Sequence, residues 1–191
     1  VKYVDVNHDG VINASDKVDL GNGLPKYTFG FNFSLAWKGF DLSANFTGAA
    51  GFQIAQSYRD PSSSQANYSR RILKRWTGEG TSNEIPRVTY GDVGNWLFSD
   101  LYLHDGDYIR LQNLTMGYDF KKLISWKGLS KMRLYFQVQN LFTLTKYDGM
   151  DPEIGSFNGT DGNSSDSWVS GVDMGYYPHP RTFIVGLNLA F

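Results

Sequence analysis

Asp5, Asn7, Asp9 and Asp16 occupy the first, third, fifth and twelfth positions of one short run, Asp5-Val6-Asn7-His8-Asp9-Gly10-Val11-Ile12-Asn13-Ala14-Ser15-Asp16. Side-chain oxygens at that spacing fit the pattern of a calcium loop, with Gly10 at the sixth position for the sharp turn and the carbonyl of Val11 at the seventh. Hard oxygen donors suit a hard cation. Asn7 lowers the ligand charge relative to a third aspartate there, and Asp16 has a shorter reach than the glutamate usual at the twelfth position. The same residues also make Asx turns with no metal present. The spacing therefore predicts a structural Ca2+ held by Asp5, Asn7, Asp9, Val11 and Asp16, bracing a loop, with an Asx-rich turn as the alternative.

No catalytic residues are expected. His8, His104 and His179 are far apart, each is expected in a solvated loop, and no His-x-x-x-His or Ser/His/Asp spacing accompanies them. The many carboxylates show no fixed pairing of the kind glycoside hydrolysis needs. The basic run 68–76, with Tyr68 and Trp76 at its ends, reads as a short solvated loop helix. Trp96, Tyr102, Trp168, Tyr176 and Tyr177 are conceivable stacking contacts for sugars, or packing contacts within loops or against a partner.

The elements that carry these residues are strands. In 27–37 every odd position is large and apolar (Tyr27, Phe29, Phe31, Phe33, Leu35, Trp37, with Gly30 among the even ones), and every even position is small or polar. After Lys38-Gly39 the alternation resumes with apolar residues on even positions from Phe40 to Phe46. A two-residue hairpin loop pairs Trp37 with Phe40, and then Leu35 with Leu42, Phe33 with Ala44 and Phe31 with Phe46, so that both faces keep their character. Leu114 to Phe120, Met132 to Val138 and Phe183 to Phe191 alternate in the same way, while 108–112 breaks parity and implies a bulge or a change of environment.

Composition bounds the setting. Of 191 residues, 16% are aromatic, none is cysteine, and the net charge is −1. A balanced charge gives no electrostatic basis for a nucleic-acid partner. No apolar run is long enough for a transmembrane helix, and the first residues carry neither Met nor a signal peptide, so the natural chain is expected to begin upstream. Connections alternate between short (38–39), very long (48–107), moderate (121–131) and long (143–180). That asymmetry suits a transmembrane β-barrel with short periplasmic turns and long extracellular loops. Ten residues at roughly 3.3 Å each, tilted about 45°, span roughly 23 Å, close to the apolar band of such a barrel. A secreted, calcium-stabilised β-sandwich that binds glycans is the competing class, since its strands also alternate. A complete eight-stranded barrel would need strands inside 48–107, which reads as loop. Five strands leave open edges that cannot face lipid, so a piece of a larger barrel is expected.

Several stretches resemble the C-terminal part of the SusC/RagA family of TonB-linked outer-membrane transporters of Bacteroidota: 5–13, Gly30-Phe31-Asn32, 38–43, Trp76-Thr77 with Ile85-Pro86-Arg87, 105–118, 139–143 and 177–183. The resemblance implies an all-β fold, an antiparallel transmembrane β-barrel segment of about five strands in a barrel of about 22. It also implies outer-membrane lipid around it, a SusD-type surface lipoprotein over its mouth, and a TonB complex that acts through a plug and TonB box outside these residues. Oligosaccharides or peptides would be the cargo. On that reading 1–26 is an extracellular loop with the calcium-type motif, and 27–191 holds the last barrel strands with extracellular loops 48–107 and 143–180. Trp37, Phe120 and Phe191 then lie toward the periplasm. Asp41, Asn45, Arg133, Gln137 and Gln139 face the lumen, and Phe31, Phe33, Leu35, Phe136 and Leu187 face lipid.

Overall fold

The computed structural model describes residues 1–57, 70–88, 97–124, 126–154 and 171–191. Its largest element is one antiparallel sheet of five strands: β1 (Tyr27–Trp37), β2 (Phe40–Ala50), β5 (Tyr108–Asp119), β6 (Lys131–Thr145) and β8 (Thr182–Ala190), neighbours in that order. Each strand pairs with the next large strand in the chain, as an up-and-down barrel wall requires. A second, three-stranded sheet sits at one end. In it β3 (Gln53–Gln56) lies between β4 (Leu103–Asp105), antiparallel to it, and β7 (Val172–Asp173), parallel to it. Among the described residues the only helical elements are short 3-10 turns, one of them Arg70–Lys74 in the basic run. Tyr68, Ser69, Trp96 and Trp168 lie outside the described residues.

The β1–β2 hairpin has the register read from the sequence, from Trp37↔Phe40 through Leu35↔Leu42 and Phe33↔Ala44 to Phe31↔Phe46. Its two turn residues both have positive φ, 49° at Lys38 and 95° at Gly39. That is the primed turn whose twist matches the flanking strands, and Lys38 adopts the left-handed conformation there beside a glycine that takes it freely.

The parity break at 108–112 is a bulge. Register shifts between Leu111 and Asn113 against both neighbours, leaving Gln112 as the extra residue facing β2. On β6 the same shift spans Asn140 and Leu141, and Asn140 has φ 52°. The bulge restores the faces: Leu111 joins the apolar row of Phe46 and Phe142, Ile109 the next row with Gly48 and Leu144, and Arg110 the polar row of Thr47 and Thr143.

Two segments expected to be loop contain more strand than expected. β2 runs on to Ala50, β6 to Thr145, and β3, β4 and β7 fall inside 48–107 and 143–180. These three strands have four, three and two residues. Their pairing partners are remote in sequence, and no alternation can register over so few positions. They form a separate sheet and add no strand to the wall, so they do not make an eight-stranded barrel of it.

Burial is distributed unevenly. Every residue of β1 is exposed, including all its aromatics. The packed cluster lies instead at the end carrying the small sheet, where Ala49, Phe52, Ile54 and Tyr147 are buried together with Tyr108 and Ile154 against them.

Candidate functional site

Following the register across the five strands gives the two surfaces residue by residue. One face carries Leu35, Leu42, Met116, Phe136 and Val185 in one row, and Phe33, Ala44, Leu114, Val138 and Phe183 in the next. Phe31, Phe33, Leu35, Phe136 and Leu187 all lie on this face and are all exposed, with Phe136 stacked on Phe183 at 6.2 Å. An exposed apolar face this broad marks contact with something other than water. At its lower end are Trp37, Tyr118, Phe120, Trp126 and Phe191. Tyr118 packs edge-on to Phe120, and Trp126 edge-on to Phe191. The Asp119 N–H donates to the Gly39 carbonyl and the Ser130 N–H to that of Ala190, so the short connections and the last strand gather at one level. An aromatic belt at one level of an apolar face is what a lipid interface selects.

The opposite face is polar. Asn32, Asn45, Asn113, Gln139 and Thr182 share one row, and Ser34, Ser43, Thr115, Gln137 and Ile184 the next. Asp41, Asn45, Arg133, Gln137 and Gln139 all lie here, as expected. Arg133 makes a two-pronged ion pair with Asp41, Nε donating to Oδ1 at 2.8 Å and Nη2 to Oδ2 at 2.5 Å. The arginine reaches from β6 to β2 by lying across Gly117 of β5, where a Cβ would come within 2.5 Å of it. Tyr135 in turn lies over Gly186 of β8 and receives the Arg133 guanidinium at 5.0 Å from its ring centre. This ladder of neutral amides and hydroxyls, with one paired charge, can hold water and hydrogen-bond passing polar molecules. It assembles no nucleophile or acid–base pair.

Higher on the polar face the side chains are covered. Arg110, 3% exposed, donates to Thr143 Oγ1 at 2.9 Å, to Asp151 at 2.5 Å and to Glu153 at 2.7 Å. Tyr147 donates its hydroxyl to buried Asp173, whose other oxygen accepts from the N–H groups of Gly175 and Tyr176. Neither cluster is marked in the sequence, since Arg110 and Asp151 are 41 residues apart. The histidines stay apart, yet His104 departs from expectation: it stands in β4, largely covered, with its ring edge-on to Tyr147 and Nδ1 3.3 Å from Asp148. His8 is in the exposed motif loop, and His179 donates its backbone N–H to Asp151. Tyr102 ends a 3-10 turn, Tyr176 packs on His179, and Tyr177 is largely exposed.

The motif at 5–16 is a closed loop of backbone-to-carboxylate bonds. Asp5 accepts from the N–H groups of Asp9 and Gly10, Asn7 Oδ1 from Asp9, and Asp9 Oδ1 from Val11. Asp16, eleven residues after Asp5, reaches back to accept from Val6 at 2.9 Å and from Asn13 at 2.7 Å. These bonds from Asn13 and Val6 hold the partly exposed Asp16 carboxyl below its usual range. Gly10 has φ 82°, the turn expected of the sixth position. The donors are hard oxygens in the order a calcium loop uses, and each bonded oxygen keeps a lone pair. Among the described residues, no three His, Cys, Asp or Glu side chains are gathered into a metal-holding group. Asn13 and Asp16 border a cleft of about 740 Å³ between this segment and Gln53, Ala55 and Val172 of the small sheet.

No family model matches the chain. Individual relatives do. It is 35% identical over 191 residues to TonB-dependent receptor P3 of Formosa agariphila, covering 99% of this chain and 19% of that protein. It is 30% identical over 193 residues to TonB-dependent receptor SusC of Bacteroides thetaiotaomicron, covering 99% of this chain and 17% of SusC. The chain thus spans about a fifth of the length of the curated relatives it matches. In fold it is similar to the RagAB peptide transporter (TM-score 0.72, 24% identity, 95% of this chain and 19% of that one) and to the RagAB peptide importer in its open-open state (TM-score 0.66, 24% identity, 88% and 17%). A sandwich would need a second sheet packed face to face on the first, whereas the second sheet here is three short strands at one end. The relatives are receptors, not enzymes. In sequence and fold, with one apolar and one polar face, the chain matches one run of barrel strands of the SusC/RagA-type TonB-dependent receptors of the outer membrane.

Proposed function

We propose that this chain forms C-terminal wall strands of an importer that takes up oligosaccharides or peptides across the outer membrane. In this reading it works with a SusD-type surface lipoprotein and is driven by a TonB complex acting on parts of the receptor outside these residues. The observation that carries the reading is the two-faced wall: an exposed apolar surface backed by a mainly polar one, with the long connections at one end. Similarity to SusC and to a peptide importer supports the cargo classes. The neutral amide rows at Asn32–Asn45–Asn113–Gln139 suit either cargo, because sugars and peptides both offer uncharged donors and acceptors. Deleting the full receptor and growing the strain on a panel of oligosaccharides and peptides tests this. Loss of growth on one class, with a surface lipoprotein co-purifying with the intact receptor, is the expected result. Undiminished growth on every nutrient, with no lipoprotein retained, overturns it.

Within the same reading, Ca2+ bound by Asp5, Asn7, Asp9, the Val11 carbonyl and Asp16 would neutralise the clustered carboxylates and fix the extracellular segment 1–26. The oxygen-only donor set and the return of Asp16 to the start of the loop support it. Calorimetric titration of the full receptor is expected to give a dissociation constant of about 10⁻⁴–10⁻³ M, the range of extracellular modules. That heat should vanish in Asp5→Asn/Asp16→Asn. No heat in the parent protein rules the site out.

A further inference from the structure

The bonds around Arg110 organise two stretches of chain at once. One stretch, 146–154, leaves β6. The other, 171–181, returns to β8. Asp151 and Glu153 of the outgoing stretch hold the Arg110 guanidinium, which projects from the polar face of β5. The returning stretch is fastened to the outgoing one twice, by the Tyr147 hydroxyl on Asp173 at 2.5 Å and by the His179 N–H on Asp151 at 3.2 Å. It is fastened to the wall once more, where Asn140 at the β6 bulge donates to the Pro180 carbonyl at 3.1 Å. Asp151 and Asp173, both nearly inaccessible, sit at the two junctions. Beneath Tyr147 lies Ala49, which the register places on the polar face of β2.

We infer that 146–154 and 171–181 form a single strap folded over the lumen side of the wall at its extracellular end, latched by Arg110. The latch is cooperative. Removing the guanidinium leaves the buried Asp151 carboxylate without its counter-charge in a site too dry to solvate it, while Glu153 stays open to water. Asp151 then loses the position from which it holds His179, so both stretches loosen together. Above Arg110 the strap adds its own exposed side chains, among them Met150, Met174 and Tyr177, to the surface offered to the lumen. A strap so fastened is a fixed lining. It rests on the polar face being the lumen side, as in the importer reading.

Hydrogen exchange on the full receptor in detergent tests this, with Arg110→Gln and Asp151→Asn as independent disruptions. In the parent both stretches should exchange slowly. In either variant both should speed up by about tenfold or more while β1 and β2 stay unchanged. In an otherwise cysteine-free receptor, Ala49→Cys should resist a membrane-impermeant maleimide and become reactive once Asp151→Asn is added. Rapid exchange of either stretch in the parent overturns the strap, as does acceleration of only one stretch or of neither in Asp151→Asn. Should Arg110→Gln prevent barrel assembly, Asp151→Asn, nearly isosteric, decides alone. Failure of the facing itself is separable. It shows as equal damage from Phe33→Arg and Asn32→Arg, whatever the strap does.

Discussion

The wall and the cap of small strands above it are stabilised in opposite ways. In the wall, β1 has no buried residue, and its order comes from backbone pairing with β2 and from lipid around its apolar face. In the cap, Ile54 and Asp173 are fully enclosed, and a handful of non-local bonds fixes three strands of two to four residues. A wall needs each residue to suit one of two solvents. A cap needs particular partners. Damage to the wall should therefore scale with the polarity of the substitution and its depth, whereas damage to the cap should follow which bond is cut.

The sharpest break between the two regions is expected from Asp173→Ala. It strands the Tyr147 hydroxyl and two backbone N–H groups in a dry site, at about 3–5 kcal/mol, felt locally. Hydrogen exchange should rise in β3, β4 and β7 while the β1–β2 hairpin stays protected. A uniform rise over both sheets would mean that wall and cap are one cooperative unit.

Phe33→Arg comes next, at about 2–4 kcal/mol for a charge near the middle of the lipid face. Asn32→Arg, one residue away on the polar face, should change stability by less than about 0.5 kcal/mol. Equilibrium unfolding in lipid vesicles measures both.

Asp41→Ala tests the one charge pair that spans three wall strands among the described residues. Both partners remain partly open to water, so about 1 kcal/mol is expected, and less in high salt. A cost that ignores salt would show the pair to be sealed from solvent.

The smallest effect belongs to the motif loop. The Asp16 carboxyl is held below its usual range by the N–H groups of Asn13 and Val6. A depressed carboxylate contributes stability above its unfolded pKa of about 3.9, and loses it as pH falls through the lower folded value. Exchange of the Val6 and Asn13 amides should therefore be insensitive to protonation of Asp16 between about pH 5 and 8 and rise only below about pH 4. In Asp16→Asn that acid step should be absent.

The same contrast explains what could be read from the chain. The hairpin register followed from alternation alone, because a one-residue slip would turn Phe33 into the lumen and Asn32 into lipid. The bulge was legible as a fault in that alternation at 108–112. The cap was not, because Gln53-Ile54-Ala55-Gln56 is too short to show a period and its neighbours lie about fifty and more than a hundred residues away. The Arg110 and Asp173 clusters were hidden for the same reason, since nothing near Arg110 in the chain marks Asp151 as its partner. The Asp5–Asp16 run was visible because all its bonds are local.

Gly117 and Gly186 carry one more consequence. With no side chain beneath them, Arg133 and Tyr135 recline along the wall where they would otherwise stand out from it. Near the short-turn end these two long polar side chains therefore lie flat on the five-stranded wall as a smooth panelling. Alanine at either glycine would tip one of them off the wall and roughen its polar face from a position buried beneath that side chain.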